Sequence, residues 1–470
     1  MRLSTYNILI KAENKNIILN SLWRTIDEIE DEIYFAIQNN ALNDIPDGIQ
    51  KELLSRGYLT TFSAEKEAKI VTNIIKKSYA KQKNAKHRSY TIILSYNCNF
   101  RCPYCFEKEI QKKGSNYIEN KMNKDMVDVV CGFIDSNPPK SKTITIYGGE
   151  PFIKENEENL KYLIEKLTEN HKLIFISNGF EIDYFIDLLN EMNTSFIQIS
   201  CDGSRFFHDK TRKSYQGEAT FDKIMSNIQL LIKKKIAVNL RINCTRNTIH
   251  SLKELHETLS KYDFYRSTLF SISYSPIIDF FDKRKGIELE MTDYIQEIEL
   301  LNDYGKSQGF VEGSYIHYYF RDFFRNSLLN RKSLPIQPVV CNAYTHSCVL
   351  DPFGKIYPCW DVTDQPEHCI GTFYPEITKN EEIIDKWHNR ENVIIEKCIQ
   401  CPYVLYCGGG CAIKAKLKNG KFDDVECDSF PEIFKRHFLY EYNAAHPSLS
   451  AIASISQTGV DVAPQMPIVL

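Results

Sequence analysis

Between residues 91 and 275 the sequence alternates short apolar runs with longer amphipathic stretches, and this repeat limits the possible folds more than any other feature. The intervening stretches, such as TFDKIMSNIQLLIKK, have helical periodicity. Apolar strands that alternate with amphipathic helices are typical of a parallel α/β sheet, either open or closed into a barrel. The predicted strands are 91–95, 143–147, 172–177, 196–200, 237–243 and 267–273.

Short polar motifs follow the first four of these strands. CNFRCPYC follows the first strand, GGEP the second, NG the third and CDG the fourth. In parallel α/β folds the active site lies at the carboxyl ends of the strands. The motifs therefore fall where an active site is expected.

Composition excludes several classes of protein. The net charge of −3 argues against a chain that binds nucleic acid through bulk positive charge. No apolar run approaches the roughly 18 residues that cross a bilayer, and the N-terminal MRLSTYNILIKAENK lacks the apolar core of an export signal. We therefore expect a cytoplasmic protein without a membrane partner.

The chain has 15 cysteines, most of them in tight groups. A secreted disulfide scaffold would be short and exported, whereas close groups in a reducing compartment indicate metal or iron–sulfur ligation. The scattered Cys131, Cys201, Cys244 and Cys369 are expected to be small core residues. The grouped cysteines are Cys98, Cys102 and Cys105, then Cys341, Cys348 and Cys359, then Cys398, Cys401, Cys407 and Cys411, with Cys427 downstream.

The first group has a C-x3-C-x2-C spacing and no nearby fourth ligand. Structural zinc closes its coordination with four protein ligands. In a [4Fe–4S] cluster held by three thiolates, one iron is free to bind an exogenous molecule. The spacing therefore favours an open iron–sulfur site.

Taken together, these motifs resemble the radical S-adenosylmethionine (SAM) superfamily, because GGEP, SNG, S-x-D-G and R-x-N follow the three cysteines in order. The resemblance implies a partial (β/α)6 barrel whose open cluster iron binds SAM. Two glycines let the backbone approach a ligand, Glu150 can pair with an ammonium group and Arg241 with a carboxylate. The implied SAM-binding residues are Tyr104, which could equally serve packing, and Gly148, Gly149, Glu150, Ser177, Asn178, Ser200, Asp202 and Arg241.

The third cysteine region resembles a SPASM domain, an appendage of radical SAM enzymes that modify peptides. Cys341 is followed after twelve residues by Gly354 and then, after four more, by Cys359. The resemblance implies two fully ligated clusters, for a total of three [4Fe–4S] clusters; two structural zinc sites are the alternative. Auxiliary cluster I would use Cys341, Cys348, Cys359 and Cys411, and auxiliary cluster II Cys398, Cys401, Cys407 and Cys427.

The N-terminal residues are expected to form a unit of their own. YNILI and NIILN predict a hairpin, residues 23–37 a helix, and IPDGIQKELLSRG a short helix that Gly57 ends before a strand. This winged-helix-like order resembles the PqqD-like peptide-recognition domain of peptide maturases, which binds a leader peptide by strand addition. The alternative is a structural cap over the barrel.

These expectations divide the chain into five segments and predict a peptide maturase. The radical would abstract a hydrogen from a ribosomally synthesised precursor peptide, leading to a thioether or C–C crosslink, with flavodoxin or ferredoxin as external electron donor. The alternatives are an anaerobic sulfatase-maturing, formylglycine-forming enzyme, for which Asp361 is a candidate base, and an iron–sulfur redox-sensing winged-helix regulator. The segments are a leader-recognition domain (1–63), a linker helix (64–90), the barrel (91–330), the SPASM domain (331–440) and a flexible tail (441–470).

Overall fold

The computed structural model describes residues 1–12, 15–85, 88–190, 194–277, 289–309, 314–315, 324, 327–328, 332–427 and 429–445. Its contacts group the chain into two compact units. Among the described residues, the first unit takes those of 1–84, 317–341 and 388–445, and the second those of 85–316 and 342–387. From residue 446 onward, the predicted tail lies outside the described residues.

Strands and helices are numbered along the chain. The strands are β1 Arg2–Leu3, β2 Asn7–Lys11, β3 Asn16–Asn20, β4 Thr25–Ile29, β5 Leu59–Thr60, β6 Ser89–Ile92, β7 Thr143–Ile146, β8 Lys172–Ser177, β9 Thr194–Cys201, β10 Val238–Cys244, β11 Phe270–Pro276, β12 Ser314–Tyr315, β13 Ser347–Leu350, β14 Lys355–Tyr357, β15 Gly371–Thr372 and β16 Thr378–Lys379. The α-helices are α1 Asp31–Gln38, α2 Asp47–Ser55, α3 Ala64–Lys83, α4 Lys108–Gln111, α5 Ser115–Ile118, α6 Lys124–Ser136, α7 Glu157–Thr168, α8 Ile186–Asn190, α9 Arg205–Thr211, α10 Phe221–Lys233, α11 Leu252–Leu259, α12 Met291–Gln308, α13 Glu381–His388, α14 Arg390–Cys398, α15 Val404–Cys407, α16 Ala412–Asn419 and α17 Phe430–Ala445.

The N-terminal part of the first unit is a three-stranded antiparallel sheet, in the order β2-β3-β4, packed against helices. The predicted hairpin is confirmed, since β2 and β3 pair from Asn7↔Asn20 to Lys11↔Asn16. The short helix α2 and the strand β5 after Gly57 are also confirmed. The core of this part is apolar and consists of Ile18, Ala36, Ile37, Ile45, Leu53, Tyr58 and Leu59.

The predicted helix over 23–37 is wrong in its first half. Residues Thr25–Ile29 form β4, which pairs with β3 from Asn20↔Thr25 to Asn16↔Ile29, and the helix α1 begins only at Asp31. Arg24 has a φ of 62° in the turn before β4, and its N–H donates to the carbonyl of Asn20. Pairing with a buried strand outweighs the helical spacing of the isoleucines.

C-terminal segments of the first unit pack with its N-terminal elements. The Tyr6 hydroxyl donates to the Ile399 carbonyl at 2.7 Å, and the Tyr79 hydroxyl of α3 donates to the His388 carbonyl at 3.0 Å. Tyr442 of α17 donates to the Glu28 carboxylate of β4 at 2.7 Å. These hydrogen bonds join segments that are more than 300 residues apart in the sequence.

The second unit is built on one sheet with a parallel centre, as the α/β prediction required. Its strand order is β12-β11-β10-β9-β8-β7-β6-β13-β14-β15-β16, and every pair from β12 to β6 is parallel. Strand β13 continues the sheet beside β6 in parallel, and β14, β15 and β16 follow as antiparallel hairpins. The carboxyl ends of β6 to β11 therefore lie along one edge of the sheet.

No helix within the described part of the chain combines the length and the apolar character needed to span a membrane.

Candidate functional site

The three cysteines of the C-x3-C-x2-C motif lie in the loop that follows β6. All three are half-buried. Burial raises the pKa of each thiol above its ordinary value. The charge of Glu150 raises the pKa of Cys98 further, whereas the guanidinium of Arg212 partly opposes the rise in the pKa of Cys102.

The GGEP turn after β7 is joined to this cysteine loop by backbone contacts. The Glu150 N–H donates to the Asn97 carbonyl at 2.8 Å. Gly149 has a φ of 55°, and a Cβ atom there would lie 2.7 Å from the Ser95 carbonyl oxygen and closer still to that of Asn97. Only glycine allows both this conformation and this close approach.

The Glu150 carboxylate organises the ends of β7 and β8. It is 2% exposed and accepts hydrogen bonds from the Ser177 hydroxyl at 2.7 Å and the Asn178 N–H at 2.6 Å. Burial raises the pKa of Glu150 to about 7, and these hydrogen bonds oppose the rise. The structure thus brings together three predicted site residues, Glu150, Ser177 and Asn178. Their assignment to SAM stays a prediction.

Glu107 is a site residue that the sequence analysis missed. It lies two positions after Cys105, and its Oε2 accepts a hydrogen bond from the Gly149 N–H at 2.8 Å. Its Oε1 is buried without a hydrogen-bond partner, and a Cβ on Gly148 would lie 3.1 Å from it. Burial raises the pKa of Glu107 to about 7. An acidic residue directly after a cysteine motif was the available signal.

The predicted residues Tyr104 and Asp202 contact each other. The Tyr104 hydroxyl donates to both Asp202 carboxylate oxygens, at 2.6 and 2.5 Å. Asn243 donates to Asp202 at 3.1 Å, and Arg212 donates to the Tyr104 hydroxyl at 2.9 Å. Arg212, also missed by the sequence analysis, is a buried cation beside Cys102, which makes it a second candidate for binding an anionic group.

Arg241 and Ser200 are neighbours in adjacent strands. They are register partners between β10 and β9. The guanidinium of Arg241 donates to the Ser275 hydroxyl at 2.9 Å, and its buried Nε has no hydrogen-bond partner. Arg241 therefore keeps a donor for another group, as a carboxylate-binding residue would.

Asp361 lies near Tyr147, the residue that precedes the GGEP turn. The Tyr147 ring makes an edge-to-face contact with Trp360 at a centroid distance of 5.8 Å. Burial raises the pKa of Tyr147, and the charges of Glu107 and Asp361 add to the rise. Asp361 Oδ2 also lies 3.7 Å from the Cys359 sulfur. Its role as a base stays a prediction.

The four cysteines assigned to auxiliary cluster II belong to the first unit and lie within range of one another's charges. Burial raises the pKa of Cys398 to about 11, and the charges of Cys427 and Cys401 add to the rise. Burial likewise raises the pKa of Cys407 to about 12, with further contributions from Cys427, Cys398 and Cys401. Between Cys407 and Cys411, three consecutive glycines, Gly408, Gly409 and Gly410, have φ values of 64°, 72° and 68°.

The cysteines assigned to auxiliary cluster I divide between the units. Cys348 and Cys359 belong to the second unit, and Cys341 and Cys411 to the first. Among the described residues, no three Cys, His, Asp or Glu side chains come close enough together to hold a single metal ion. Both cluster assignments stay predictions.

The scattered cysteines lie in or near apolar cores. Cys201 and Cys244 are fully buried, and Cys131 and Cys369 are half-buried. Cys369 packs against the apolar cluster that contains Ile93, Tyr96 and Val349.

Residues 92–259 match the family model of the radical SAM superfamily. The chain is 26% identical to the cysteine-type anaerobic sulfatase-maturating enzyme of Clostridium novyi, over 73% of this chain and 93% of that protein. It is 22% identical to the radical SAM cyclopropyl synthase TigE of Paramaledivibacter caminithermalis, over 94% of this chain and 96% of that protein.

Solved structures that share the fold include those of anSMEcpe and Streptococcus suis SuiB. Native anSMEcpe with bound AdoMet and a peptide superposes with a TM-score of 0.57 at 22% identity, covering 77% of this chain and 100% of that one. Streptococcus suis SuiB bound to its precursor peptide SuiA superposes with a TM-score of 0.54 at 14% identity, covering 90% and 98%. Residues 92–259 therefore form a radical SAM domain, and the chain that contains this domain is an enzyme.

Proposed function

We propose that this enzyme modifies a ribosomally synthesised precursor peptide by hydrogen abstraction from a side chain or an α-carbon, leading to a thioether or C–C crosslink. The observation that carries the proposal is the joining of the cysteine loop to the GGEP turn. The Gly149 N–H donates to Glu107 and the Glu150 N–H to Asn97, both at 2.8 Å. A peptide substrate is supported by the relatives, because SuiB was solved with a precursor peptide and anSMEcpe with a bound peptide.

The residues of the site fit a [4Fe–4S] cluster and SAM. Three thiols in one loop can ligate three irons. Buried polar atoms without partners, Glu107 Oε1 and Arg241 Nε, are suited to the amine or hydroxyl donors and the carboxylate of an amino-acid ligand. Leaving both atoms unpaired would cost stability, so their presence supports a bound polar ligand.

Cys98, Cys102 and Cys105 would hold the cluster, and Glu150, Ser177, Asn178, Ser200, Asp202 and Arg241 would surround SAM, with Gly148 and Gly149 allowing close approach. When bound, the reduced cluster and SAM supply a 5′-deoxyadenosyl radical that can abstract a hydrogen atom. The chain's own residues orient the ligand: Arg241 binds a carboxylate, and the Asp202–Tyr104 pair fixes the wall beside Cys102. An external donor such as flavodoxin or ferredoxin would supply the electron.

Two auxiliary [4Fe–4S] clusters complete the proposed cofactors. The mutual effects of Cys398, Cys401, Cys407 and Cys427 on one another's pKa values support one shared site for these four thiols. The left-handed glycines Gly408–Gly410 let the chain turn sharply between Cys407 and Cys411. Clusters with four protein ligands would serve electron transfer rather than bind substrate.

Residues 1–63 are proposed to bind the leader part of the peptide. The strand β4 is at one edge of the sheet β2-β3-β4. An extended peptide can add to such an edge through main-chain hydrogen bonds. The division of the chain into five segments is part of the same proposal, and α3 forms the proposed linker helix.

Sulfatase maturation is the second candidate function, and the identity of 26% to the Clostridium novyi enzyme favours it. That group places an aspartate directly after an auxiliary-cluster cysteine. In this chain Trp360 follows Cys359, and Asp361 stands one position later. The two candidates differ in product, because crosslinking removes two hydrogens whereas formylglycine formation from cysteine replaces sulfur by oxygen.

The test is anaerobic incubation of the reduced enzyme with SAM and candidate precursor peptides, followed by mass spectrometry of the peptide. Loss of two hydrogens without loss of sulfur, in a product that carries no hydrazine-reactive aldehyde, is the expected result. A sulfatase-derived peptide that loses its cysteine sulfur would instead establish the second candidate. Peptides that all stay unchanged while SAM is cleaved would contradict both.

A further inference from the structure

We propose that Gln198 is a substrate-positioning residue, whose side-chain amide donates a hydrogen bond to a backbone carbonyl of the peptide residue that the enzyme attacks. This inference rests on the proposed peptide function and adds to it a recognition residue outside the cysteine, GGEP, SNG, S-x-D-G and R-x-N motifs.

Strands β9, β10 and β11 carry polar side chains on one face. Gln198 is the register partner of Asn239, which is in turn the partner of Ser271. Two residues further along, Ser200, Arg241 and Ser273 form the next rung. Since side chains at alternate positions share a face, Gln198 lies on the face that carries Ser200 and Arg241.

The opposite face of the same strands is apolar and covered by helices. A Cβ on Gly179 would contact both Ile199 and Ile224, so Ile199 lies beside α10. Ile197, Leu240 and Ile242 share this face and are fully buried. The face of Gln198 therefore points away from α10, toward the side of the sheet where the guanidinium of Arg241 acts to lower the pKa of Tyr147.

Gln198 differs from the neighbouring Asn239 because its amide nitrogen lacks a hydrogen-bond partner. Asn239 donates to the Ser271 hydroxyl at 3.0 Å and accepts from the Ser273 hydroxyl at 2.8 Å. Gln198 is 3% exposed, and its Nε2 has no hydrogen-bond partner. A buried, unpaired amide donor destabilises a protein, and an apolar residue of similar volume would avoid this cost.

The position of Gln198 suits a substrate more than SAM. It precedes Ser200 by two residues along β9, a displacement of about 7 Å toward the amino ends of the strands and away from the cysteine loop. The buried side-chain N–H of Gln198 requires a hydrogen-bond acceptor at this position. A peptide presents a carbonyl acceptor at every residue, so the backbone of the attacked residue can supply it.

The experiment compares the full-length wild type with Gln198→Met, Gln198→Leu and the matched surface variant Gln229→Leu on α10. Binding of a fluorescent precursor peptide to the anaerobic, SAM-loaded enzyme is measured first. The KM for peptide, the KM for SAM and the ratio of 5′-deoxyadenosine to modified peptide follow. Thermal unfolding of the peptide-free protein reports on the fold, with Asn239→Leu as a variant that breaks satisfied hydrogen bonds.

Loss of one hydrogen bond is expected to weaken peptide binding and raise the peptide KM about five- to tenfold in both Gln198 variants, with the KM for SAM unchanged. The ratio of 5′-deoxyadenosine to modified peptide should rise because the substrate is held less firmly. The unfolding midpoint of Gln198→Met should equal or exceed that of the wild type, whereas Asn239→Leu should lower it.

Unchanged peptide binding in both Gln198 variants, or a raised KM for SAM with normal peptide binding, would overturn the inference alone. So would a fall in the midpoint of Gln198→Met as large as that of Asn239→Leu, since it would indicate a purely structural role. A wild type that cleaves SAM but binds and modifies no peptide would overturn the peptide function, and the inference with it.

Discussion

Replacing Gly149 by alanine tests how closely the GGEP turn packs against the cysteine loop. Gly149 has a φ of 55°, a conformation that costs an L-residue about 1–2 kcal/mol. The new Cβ would also lie 2.7 Å from the Ser95 carbonyl oxygen, which belongs to backbone that cannot move aside by a rotamer change. Such overpacking costs a further ~1–3 kcal/mol. We therefore expect Gly149→Ala to lower the free energy of unfolding by about 2–5 kcal/mol.

Two other glycines separate the contributions. Gly309 has a φ of 67° in the left-handed region, and the nearest atom to a Cβ there would be 3.9 Å away, so Gly309→Ala should cost only the conformational part, about 1–2 kcal/mol. Gly132 lies in α6 with open space around its Cβ position, and Gly132→Ala should be stabilising by about 0.5–1 kcal/mol. Urea unfolding of the three variants, monitored by circular dichroism, gives the comparison. Equal destabilisation by Gly149→Ala and Gly309→Ala would refute the close approach of the turn to the loop.

Three further predictions concern ligand binding, pH and the cluster. Arg241→Gln should raise the KM for SAM about 10- to 100-fold, because a charge-assisted hydrogen bond is lost, whereas the exposed control Arg246→Gln should leave it unchanged; equal values would remove Arg241 from the SAM site. Burial raises the pKa of Asp351 to about 6, so between about pH 4 and pH 6 the folded chain keeps a proton that the unfolded chain has lost, and the free energy of unfolding falls as the pH rises. As the pH rises from 4 to 7, the free energy of unfolding of Asp351→Asn should therefore increase relative to that of the wild type by up to about 3 kcal/mol. Urea titrations in which both proteins show the same pH dependence would contradict this. Cys98→Ala should reduce the iron content by about four atoms per chain and abolish 5′-deoxyadenosine formation, and an unchanged iron content would exclude Cys98 as a ligand.

The central sheet was predictable because its strands carry their own signal. The run KLIFIS at 172–177 is buried from Leu173 onward and was predicted with its observed bounds. Strand ends were less certain: β11 begins at Phe270 rather than at Ser267, where the Ser267 N–H closes a turn on the Phe264 carbonyl. Local pattern does not reveal such turns, since tertiary hydrogen bonds decide them.

Pairing between strands that are distant in the sequence accounts for the main differences between the predicted and the observed elements. The isoleucines at 26, 29, 33 and 37 have helical spacing, yet Ile26 and Ile29 pair with β3. Residues 331–440 were predicted as a segment distinct from the barrel, and β13, which lies within that segment, extends the parallel sheet beside β6. The candidate site likewise contains residues that local motifs predicted and residues that only the folded structure brings together. The cysteines and GGEP were visible as motifs, but Glu107, Arg212 and Gln198 became evident only from buried contacts or their absence.

Transfer of a labelled hydrogen tests the central claim most directly. The enzyme would be incubated anaerobically with reductant, SAM and a precursor peptide synthesised with deuterated residues, and the 5′-deoxyadenosine would be analysed by mass spectrometry. Abstraction from the peptide predicts one deuterium in the 5′-deoxyadenosine when the attacked residue carries the label, in step with formation of the modified peptide. Modified peptide formed together with unlabelled 5′-deoxyadenosine, whichever residue is deuterated, would contradict the proposed hydrogen abstraction.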